Sequence, residues 1–319
     1  MSVRVAVLGA SGFGRHHARW YAELGCEVVA FLGSSPQSVE STARALREAM
    51  GFGGRGYTAV DELLAAERPH GVSVCTPAPL HGEHARAALR AGCSVLCEKP
   101  FVWRPHAPTD DILAEARELV AAAEDAGLAL AVNTQYAAAA EAYRELAPGA
   151  LEAPRRFTGE MTSQLKPAGP RGRDIWLDLA PHPLSVLLAL LPRARLQAGT
   201  VRATVGEERT DAHFEVATDA GRCAVAIHVA KLRERPFPRR FGFGRQVADC
   251  ATEPDDQGVY HGYLRLGDRE RRCDDFMRTS IARFCDAVRG QGRPLVDGHA
   301  ALRNLELMLR VLGEAEGAR

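Results

Sequence analysis

Three consecutive residues in the first third of the chain carry side chains suited to chemistry at a ligand. Glu98, Lys99 and Pro100 directly follow residues 93–97, a short apolar run that predicts a buried strand. In an open parallel sheet, ligands bind beyond the carboxyl ends of the strands, so this charged pair would meet a cofactor or a substrate. An isolated Glu-Lys pair is more often a solvated ion pair, so the prediction depends on the surrounding elements.

An aspartate and a histidine four residues apart form a second candidate group. Asp178 and His182 precede leucines at helical spacing, and a helix reaching back to Asp178 would place both on one face. Pro181 and Pro183 favour instead a loop that leads into the helix. Alone, these residues more often form a helix start with one buried histidine. With Lys99 they could oxidise an alcohol, because a histidine can take the hydroxyl proton while an ammonium group stabilises the alkoxide.

Length and composition bound the class of protein. The 319 residues favour two domains, and 46% hydrophobic and 25% charged residues with zero net charge are ordinary for a soluble globular protein. The balanced charge argues against nucleic acid or an anionic membrane as the main partner. Eight cysteines without a CxxC motif indicate reduced thiols and no metal site. We see no signal peptide and no membrane-spanning run, and we expect a cytoplasmic protein.

A glycine-rich turn near the start of the chain predicts a dinucleotide site. Apolar residues 3–8 precede the turn and a helical pattern follows it, an arrangement whose unpaired N–H groups bind phosphate. The candidate cofactor contacts are Gly9, Ser11, Gly12, Phe13 and Gly14. Gly9 and Gly14 match the first and last glycines of the dinucleotide fingerprint, whereas Ser11 replaces the middle one. The Ser11 hydroxyl could donate to the phosphate, or Gly12 could take over the close approach.

The second predicted strand, residues 27–32, ends without the acidic residue that binds the ribose in NAD-specific enzymes. Ser34 and Ser35 stand there instead, and their hydroxyls could bind a 2′-phosphate. The expected cofactor is therefore NAD or NADP, with a slight preference for NADP. Alternatively, Ser35 or Ser38 only caps the helix that follows.

Strand and helix alternate further along the chain, which predicts a parallel sheet. Residues 71–75 form a strand that ends at Thr76 and Pro77, and a helix with His81 near its start follows. Because the carboxyl ends of parallel strands share one edge, these residues would lie beside Lys99 and are candidate cofactor contacts.

A patterned helix over residues 110–126, with an aspartate as N-cap and Gly127 at its end, leads to a last strand at residues 128–132. Gln135 and Tyr136 follow this strand and are candidate substrate contacts.

Apolar and polar residues alternate from about residue 155 onward, which predicts an antiparallel sheet with one wet face. The buried set includes Val225, Ile227 and Val229, and the Asp219-Ala-Gly221 turn predicts a hairpin. Residues 233–246 look like a loop whose role the sequence does not reveal.

The fold class is thus α/β, with an N-terminal Rossmann parallel sheet and a C-terminal α+β domain that has an open, mainly antiparallel sheet. The predicted domains are residues 1–127 and 128–319, with the last helix, about 300–316, packing back on the first domain.

Taken together, these motifs resemble the Gfo/Idh/MocA family of NAD(P)-dependent oxidoreductases over nearly the full length. The motifs are the Gly9–Gly14 turn followed by His17, Thr76-Pro77 with His81, Glu98-Lys99-Pro100, and Asp178 with His182. The resemblance implies that Lys99 touches both the nicotinamide ribose and the substrate, and that Asp178 and His182 complete the catalytic group. We expect Glu98 to steady Lys99 or to touch the ribose. The resemblance also implies a homo-oligomer built through the second sheet.

We therefore expect an oxidoreductase that transfers hydride between nicotinamide and a sugar, cyclitol or related polyol carbon. Residues 137–140 are alanines where the family often has a basic residue, which leaves the substrate class open. The alternatives are a nucleotide-sensing regulator without catalysis on the same fold, and a reductase of a small molecule that is not a sugar.

Overall fold

The computed structural model describes residues 2–257 and 259–317, which form two compact units. The first unit comprises the described residues up to Asn133 together with Met277–Leu302. The second comprises Thr134–Phe276 and the described residues from Arg303 onward. The first unit thus extends beyond the predicted boundary at residue 127, because the strand after that residue pairs within the first sheet.

The first unit contains a six-stranded parallel sheet in the order β3-β2-β1-β4-β5-β6. Its strands are β1 (Arg4–Leu8), β2 (Glu27–Leu32), β3 (Arg55–Tyr57), β4 (Gly71–Val74), β5 (Ser94–Glu98) and β6 (Leu130–Asn133). The connecting helices are α1 (Gly14–Glu23), α2 (Pro36–Met50), α3 (Val60–Glu67), α4 (His81–Arg90) and α5 (Thr109–Asp125). The strand order reverses between β1 and β4, the point at which open α/β sheets bind ligands. The predicted Rossmann sheet is confirmed.

The second unit is built on a nine-stranded sheet, in which β7 and β11 run parallel and the other pairs are antiparallel. Its first helices are α6 (Ala139–Leu146), α7 (Arg173–Leu179) and α8 (Pro181–Leu190). Its strands are β7 (Arg156–Gln164), β8 (Arg195–Leu196), β9 (Arg202–Val205), β10 (Arg209–Thr218), β11 (Gly221–Leu232), β12 (Arg239–Phe243), β13 (Gln246–Pro254), β14 (Tyr260–Leu266) and β15 (Arg269–Asp274). The predicted hairpin joins β10 to β11, and the mainly antiparallel sheet is confirmed.

The loop predicted for residues 233–246 is wrong in its second half. Here β12 pairs with β7 near the middle of the sheet, and Phe241 and Phe243 are buried. Between them, Gly242 lies so close to the next strand that an added Cβ would clash with the Gln246 carbonyl. The prolines and glycines that suggested a loop therefore include a glycine that close strand packing requires.

The loop expected before His182 is also wrong. Helix α7 ends at Leu179, α8 begins at Pro181, and Ala180 between them has right-handed helical angles (φ −62°, ψ −31°). Proline at the first helical position needs no intrahelical N–H partner, so Pro181 starts α8 without a loop.

The aspartate predicted to cap α5 does not cap it, because Pro108 occupies the N-cap position and the two aspartates lie in the first turn. Acidic side chains in that turn still favour the helix by interacting with its dipole.

Two helices end the chain, α9 (Phe276–Val288) and α10 (Gly298–Gly317). Met277, Ile281 and Phe284 of α9 belong to the apolar core of the first unit, together with strand residues such as Val5 and Phe31. The last helix belongs to the first unit up to Leu302 and to the second unit from Arg303 onward. In the part of the chain that the structure describes, no helix combines the length and apolarity needed to span a bilayer.

Candidate functional site

Three predicted residues of the first unit follow parallel strands at their carboxyl ends. Gly9 comes after β1, Thr76 after β4, and Lys99 after β5. Since these strands are adjacent in the sheet order 1-4-5, the three residues lie along one edge, at and beside the point where the order reverses. Lys99 is half-buried there.

The turn between β1 and α1 is closed toward the sheet and open toward solvent. Gly9 has φ +89°, and an added Cβ would lie 2.7 Å from the Cys75 carbonyl oxygen. An added Cβ on Gly14 would clash with the carbonyl oxygen of Gly9. By contrast, residues 11–13 are exposed, and a Cβ on Gly12 would meet nothing within 4 Å. With the exposed backbone of residues 11–13 at the start of α1, this cradle fits the pyrophosphate of a dinucleotide.

The two serines after β2 differ in what they do. The Ser35 hydroxyl oxygen accepts a hydrogen bond from the Ser38 backbone N–H at 3.1 Å, so Ser35 caps α2. Ser34 is exposed at the end of the strand. Of the two predicted serines, Ser34 is therefore the one whose hydroxyl does not cap α2.

A buried hydrogen-bond network holds the carboxylate of Glu98. His17 Nε2 donates to Glu98 Oε1 at 2.9 Å, and Asn133 Nδ2 donates to the same oxygen at 2.7 Å. On its other side, His17 Nδ1 lies 3.0 Å from the Ser73 hydroxyl, which is 2.8 Å from the Tyr21 hydroxyl. Burial raises the pKa of Glu98, but the hydrogen bond and charge of His17, with the Asn133 amide and the nearby Lys99 charge, lower it to about 2. Glu98 is therefore ionised at neutral pH.

His81 connects two of the predicted site segments. Its Nδ1 lies 2.7 Å from the Pro100 carbonyl oxygen and its Nε2 lies 2.8 Å from the Thr76 carbonyl oxygen. The ring is 1% exposed, and burial lowers its pKa against the opposing effect of the two carbonyls. Close by, the Thr76 hydroxyl lies 3.0 Å from His84 Nδ1, and Pro77 precedes a short 3-10 turn. His81 thus ties the turn after β4 to the Glu-Lys-Pro segment.

A separate cleft of about 580 Å³ in the first unit lies away from these residues. Arg68, His70, Arg90 and Gly92 line it, and they precede β4 and β5 or end α3 and α4. The cleft therefore lies toward the amino ends of the strands, opposite the edge that holds Lys99, so its size does not make it the candidate site.

In the second unit, His182 packs against an aromatic and cationic group. Its ring meets the Tyr136 ring edge-on, with centroids 5.2 Å apart and planes at 72°. Arg239 Nη1 donates to the Tyr136 hydroxyl at 2.7 Å, and burial raises the pKa of Tyr136. These three side chains, with Glu160 and others, line a cavity of about 10 Å³, which holds about one water and is too small alone for a sugar.

Asp178 is bound by a lysine from the neighbouring strand. Its Oδ2 accepts a hydrogen bond from Lys231 Nζ at 2.5 Å, and Lys231 also donates to the Ser163 hydroxyl at 2.9 Å. Lys231 is 8% exposed. Gln135, the remaining candidate substrate contact, begins a 3-10 turn and is half-buried.

Sequence reasoning missed three polar residues that hold these groups. Asn133 ends β6 directly opposite Glu98, a position that the predicted strand register could have shown. Lys231 continues the buried series of alternate residues 225, 227 and 229, so a lysine in that series was a visible signal. Arg239 lies in the segment interpreted as a loop, and no signal pointed to it. Among the described residues, no cluster of three or more His, Cys, Asp or Glu side chains could hold a metal ion.

Comparison with known proteins shows that this chain is similar to oxidoreductases. Residues 3–134 match a family model described as an oxidoreductase family with an NAD-binding Rossmann fold. UDP-N-acetylglucosamine 3-dehydrogenase from Acidithiobacillus ferrooxidans is 31% identical over 97% of this chain and 96% of its own length. A solved structure of that enzyme has a TM-score of 0.76 at 25% identity and covers 99% of both chains. D-apiose dehydrogenase from Paraburkholderia graminis is 33% identical over 132 residues, which are 41% of this chain and 32% of the length of that enzyme.

Proposed function

The chain belongs to the Gfo/Idh/MocA family of oxidoreductases, and from this premise we propose that it is an NAD(P)-dependent dehydrogenase of a sugar, cyclitol or related polyol. One observation carries the proposal. The Gly9–Gly14 turn, which fits a dinucleotide, and Lys99 follow strands of one parallel sheet at the same edge. A cation beside the cofactor site can support oxidation of an alcohol, because it stabilises the negative charge that develops on the substrate oxygen.

Each residue of the proposed catalytic group would have a separate role in the oxidation of an alcohol. The nicotinamide, when bound, supplies the hydride acceptor or donor. Oxidation breaks the substrate C–H and O–H bonds, and His182 takes the hydroxyl proton as general base. Lys99 stabilises the developing alkoxide, and Asp178 orients the substrate or His182. The network from Tyr21 to Glu98 fixes the carboxylate next to Lys99, so Glu98 steadies the lysine or binds the ribose.

The cofactor contacts are assigned in two groups. The exposed residues 11–13 and the glycines around them would bind the pyrophosphate, and Thr76 and Pro77 would flank the nicotinamide side. His81, whose two ring nitrogens both contact backbone carbonyls, would act by positioning these segments. Ser34 and the missing acidic residue after β2 support a slight preference for NADP.

The substrate class follows from the relatives. Those that match this chain are named for a nucleotide sugar, a glucoside, D-apiose and inositol, all of which carry secondary hydroxyl groups. We propose a substrate of this kind, contacted by Gln135 and Tyr136 as well as by Lys99, Asp178 and His182.

Cofactor titration followed by a substrate screen tests the proposal. Quenching of protein fluorescence would be followed with NADH and NADPH, and reduction of NAD and NADP would be measured with UDP-N-acetylglucosamine, glucosides, D-apiose and inositols. We expect saturable binding, tighter for NADPH, and turnover of at least one compound. Binding without turnover across the panel would favour a nucleotide-sensing regulator or a reductase of a different small molecule. Absence of binding would contradict the dinucleotide site.

The proposal includes a cytoplasmic homo-oligomer formed through the sheet of the second unit. The polar side of that sheet carries half-buried groups such as Asp211, His228 and Glu160, which we propose as part of the subunit contact. Sedimentation of the purified protein and fractionation of the cells that make it would test both points.

A further inference from the structure

Lys231 stands where the strand pattern requires an apolar residue. It lies one residue before the end of β11, in the buried series that contains Val225, Ile227 and Val229. Burying an ammonium group is costly unless hydrogen bonds and an opposite charge compensate for the lost hydration. The chain uses lysine at only two other positions, Lys99 and Lys166, and takes arginine everywhere else. A lysine in this series therefore calls for a specific reason.

Two fixed elements hold its partners. Ser163 of β7 lies directly beside Lys231 in the parallel register, and Asp178 is presented by α7. Helix α7 is anchored by the Trp176 indole N–H, which donates to the Met308 carbonyl at 3.0 Å. The Asp178 side chain is 28% exposed, whereas that of Lys231 is 9% exposed. The ion pair is thus buried on the lysine side and accessible on the carboxylate side.

We propose that Lys231 is a positioning residue that keeps Asp178 ionised and correctly oriented, a kinetic role that rests on the function proposed above. An opposite charge in direct contact favours the carboxylate over the carboxylic acid. A carboxylate can accept hydrogen bonds from a substrate hydroxyl or from His182, one helical turn further on, whereas the protonated acid loses part of that capacity. One ammonium group satisfies Asp178 and Ser163 together.

Besides His182, the cavity beside it is lined by five charged or titratable residues, each of which is paired or neutral. They are Tyr136, Glu160, Arg239, Arg240 and Cys250. Arg240 Nε donates to Glu160 at 2.6 Å, and Arg239 donates to Tyr136. Burial raises the pKa values of Tyr136 and Cys250, so both stay protonated at neutral pH. The cation that donates a hydrogen bond to Asp178 is Lys231.

Two variants and one control separate charge from packing. Lys231→Met keeps the length of the side chain without its charge, Lys231→Arg keeps the charge, and Lys166→Met removes an exposed lysine of the same unit. Carbon-13 NMR of protein labelled at the aspartate carboxyl groups would follow Asp178, assigned by the loss of its signal in Asp178→Asn. We expect the pH midpoint of Asp178 to rise by about 1–3 units in Lys231→Met. It should stay within about 0.5 unit of the wild-type value in the other two.

The pH dependence of kcat/KM provides the kinetic readout on any substrate found in the screen. The acid limb should move to higher pH in Lys231→Met but not in Lys231→Arg, with at least a tenfold loss of kcat/KM about one unit below the new midpoint. A purely structural lysine would lower thermal stability and leave the acid limb of the folded enzyme where it was.

The outcomes distinguish this inference from the proposed function. An unchanged Asp178 midpoint in folded Lys231→Met overturns the inference, even if the protein is a dehydrogenase. A shifted midpoint with an unmoved acid limb overturns the kinetic role. If the wild-type protein turns over no compound in the screen, the dehydrogenase proposal fails. The NMR titration still decides whether Lys231 controls the ionisation of Asp178.

Discussion

The two units hold their candidate carboxylates in different ways. In the first unit, Glu98 is bound by His17 and Asn133, and the network continues through neutral hydroxyl groups to Tyr21. In the second, Asp178 is bound by Lys231, a full positive charge that is itself buried. Glu98 is held by two hydrogen-bond donors, with the charges of His17 and Lys99 adding to them, whereas Asp178 and Lys231 form a direct ion pair in which each partner depends on the other.

The difference follows from how the two sheets gather residues. A parallel sheet brings the ends of successive strands to one edge, so residues that follow strands meet there whatever their distance along the chain. A mixed sheet recruits side chains through register, as Lys231 lies beside Ser163, and through helices packed on one face, as α7 presents Asp178. The first kind of site depends on short motifs and the second on long-range pairing.

The largest expected effect is the loss of turnover when the proposed acid–base or charge-stabilising group is removed from either unit. His182→Gln and Lys99→Met should each lower kcat by about 10²–10⁴-fold, because proton transfer or alkoxide stabilisation is lost. Cofactor affinity, measured by fluorescence titration, should change little in His182→Gln. His213→Gln and Lys166→Met, at exposed positions, are the controls. Wild-type turnover in His182→Gln would remove the second unit from the proposed chemistry.

The next effect tests how strongly the first unit stabilises its carboxylate. Since the pKa of Glu98 is lowered from 4.5 to about 2, its ionised form stabilises the fold above pH 4.5. That stability, about 3 kcal/mol, is lost as the pH falls through this window. In Glu98→Gln, the free energy of unfolding in urea should therefore fall less steeply with decreasing pH than in the wild type. Exposed Glu48→Gln is the matched control, and parallel wild-type and Glu98→Gln curves would contradict the assignment.

The smallest effect separates the two serines after β2. Ser35→Ala should cost about 1 kcal/mol of stability through loss of the α2 cap, while Ser34→Ala should change it by less than about 0.5 kcal/mol. If Ser34 binds a 2′-phosphate, Ser34→Ala should weaken binding of NADPH and leave binding of NADH unchanged. Equal effects of Ser34→Ala on both cofactors would argue against the preference for NADP.

Sequence reasoning worked best where function depends on neighbours along the chain. The glycine turn, the strand that ends at Glu98 and the hairpin between β10 and β11 each have local signals, and the structure contains all three. The family resemblance, carried by these motifs together, is confirmed.

Reasoning from the sequence failed where a local signal has two physical meanings. Pro181 and Pro183 favoured a loop that leads into the helix, whereas Pro181 itself occupies the first helical position, where proline is accepted. Gly242 lies in the segment interpreted as a loop, although it allows close strand packing. Asn133 is found only from the register between strands, and Lys231 only from the alternation of buried and exposed residues along its strand. The recognition of short motifs examines neither.

The most direct test of the account is the kcat/KM of the double variant Lys99→Met/His182→Gln on the best substrate of the screen. If the two residues serve one reaction step, the kcat/KM of the double variant should be about as low as that of the less active single variant. The losses of groups that act as a unit do not add. If instead the two single losses multiply, Lys99 and His182 act independently, and the proposal of one catalytic group is contradicted.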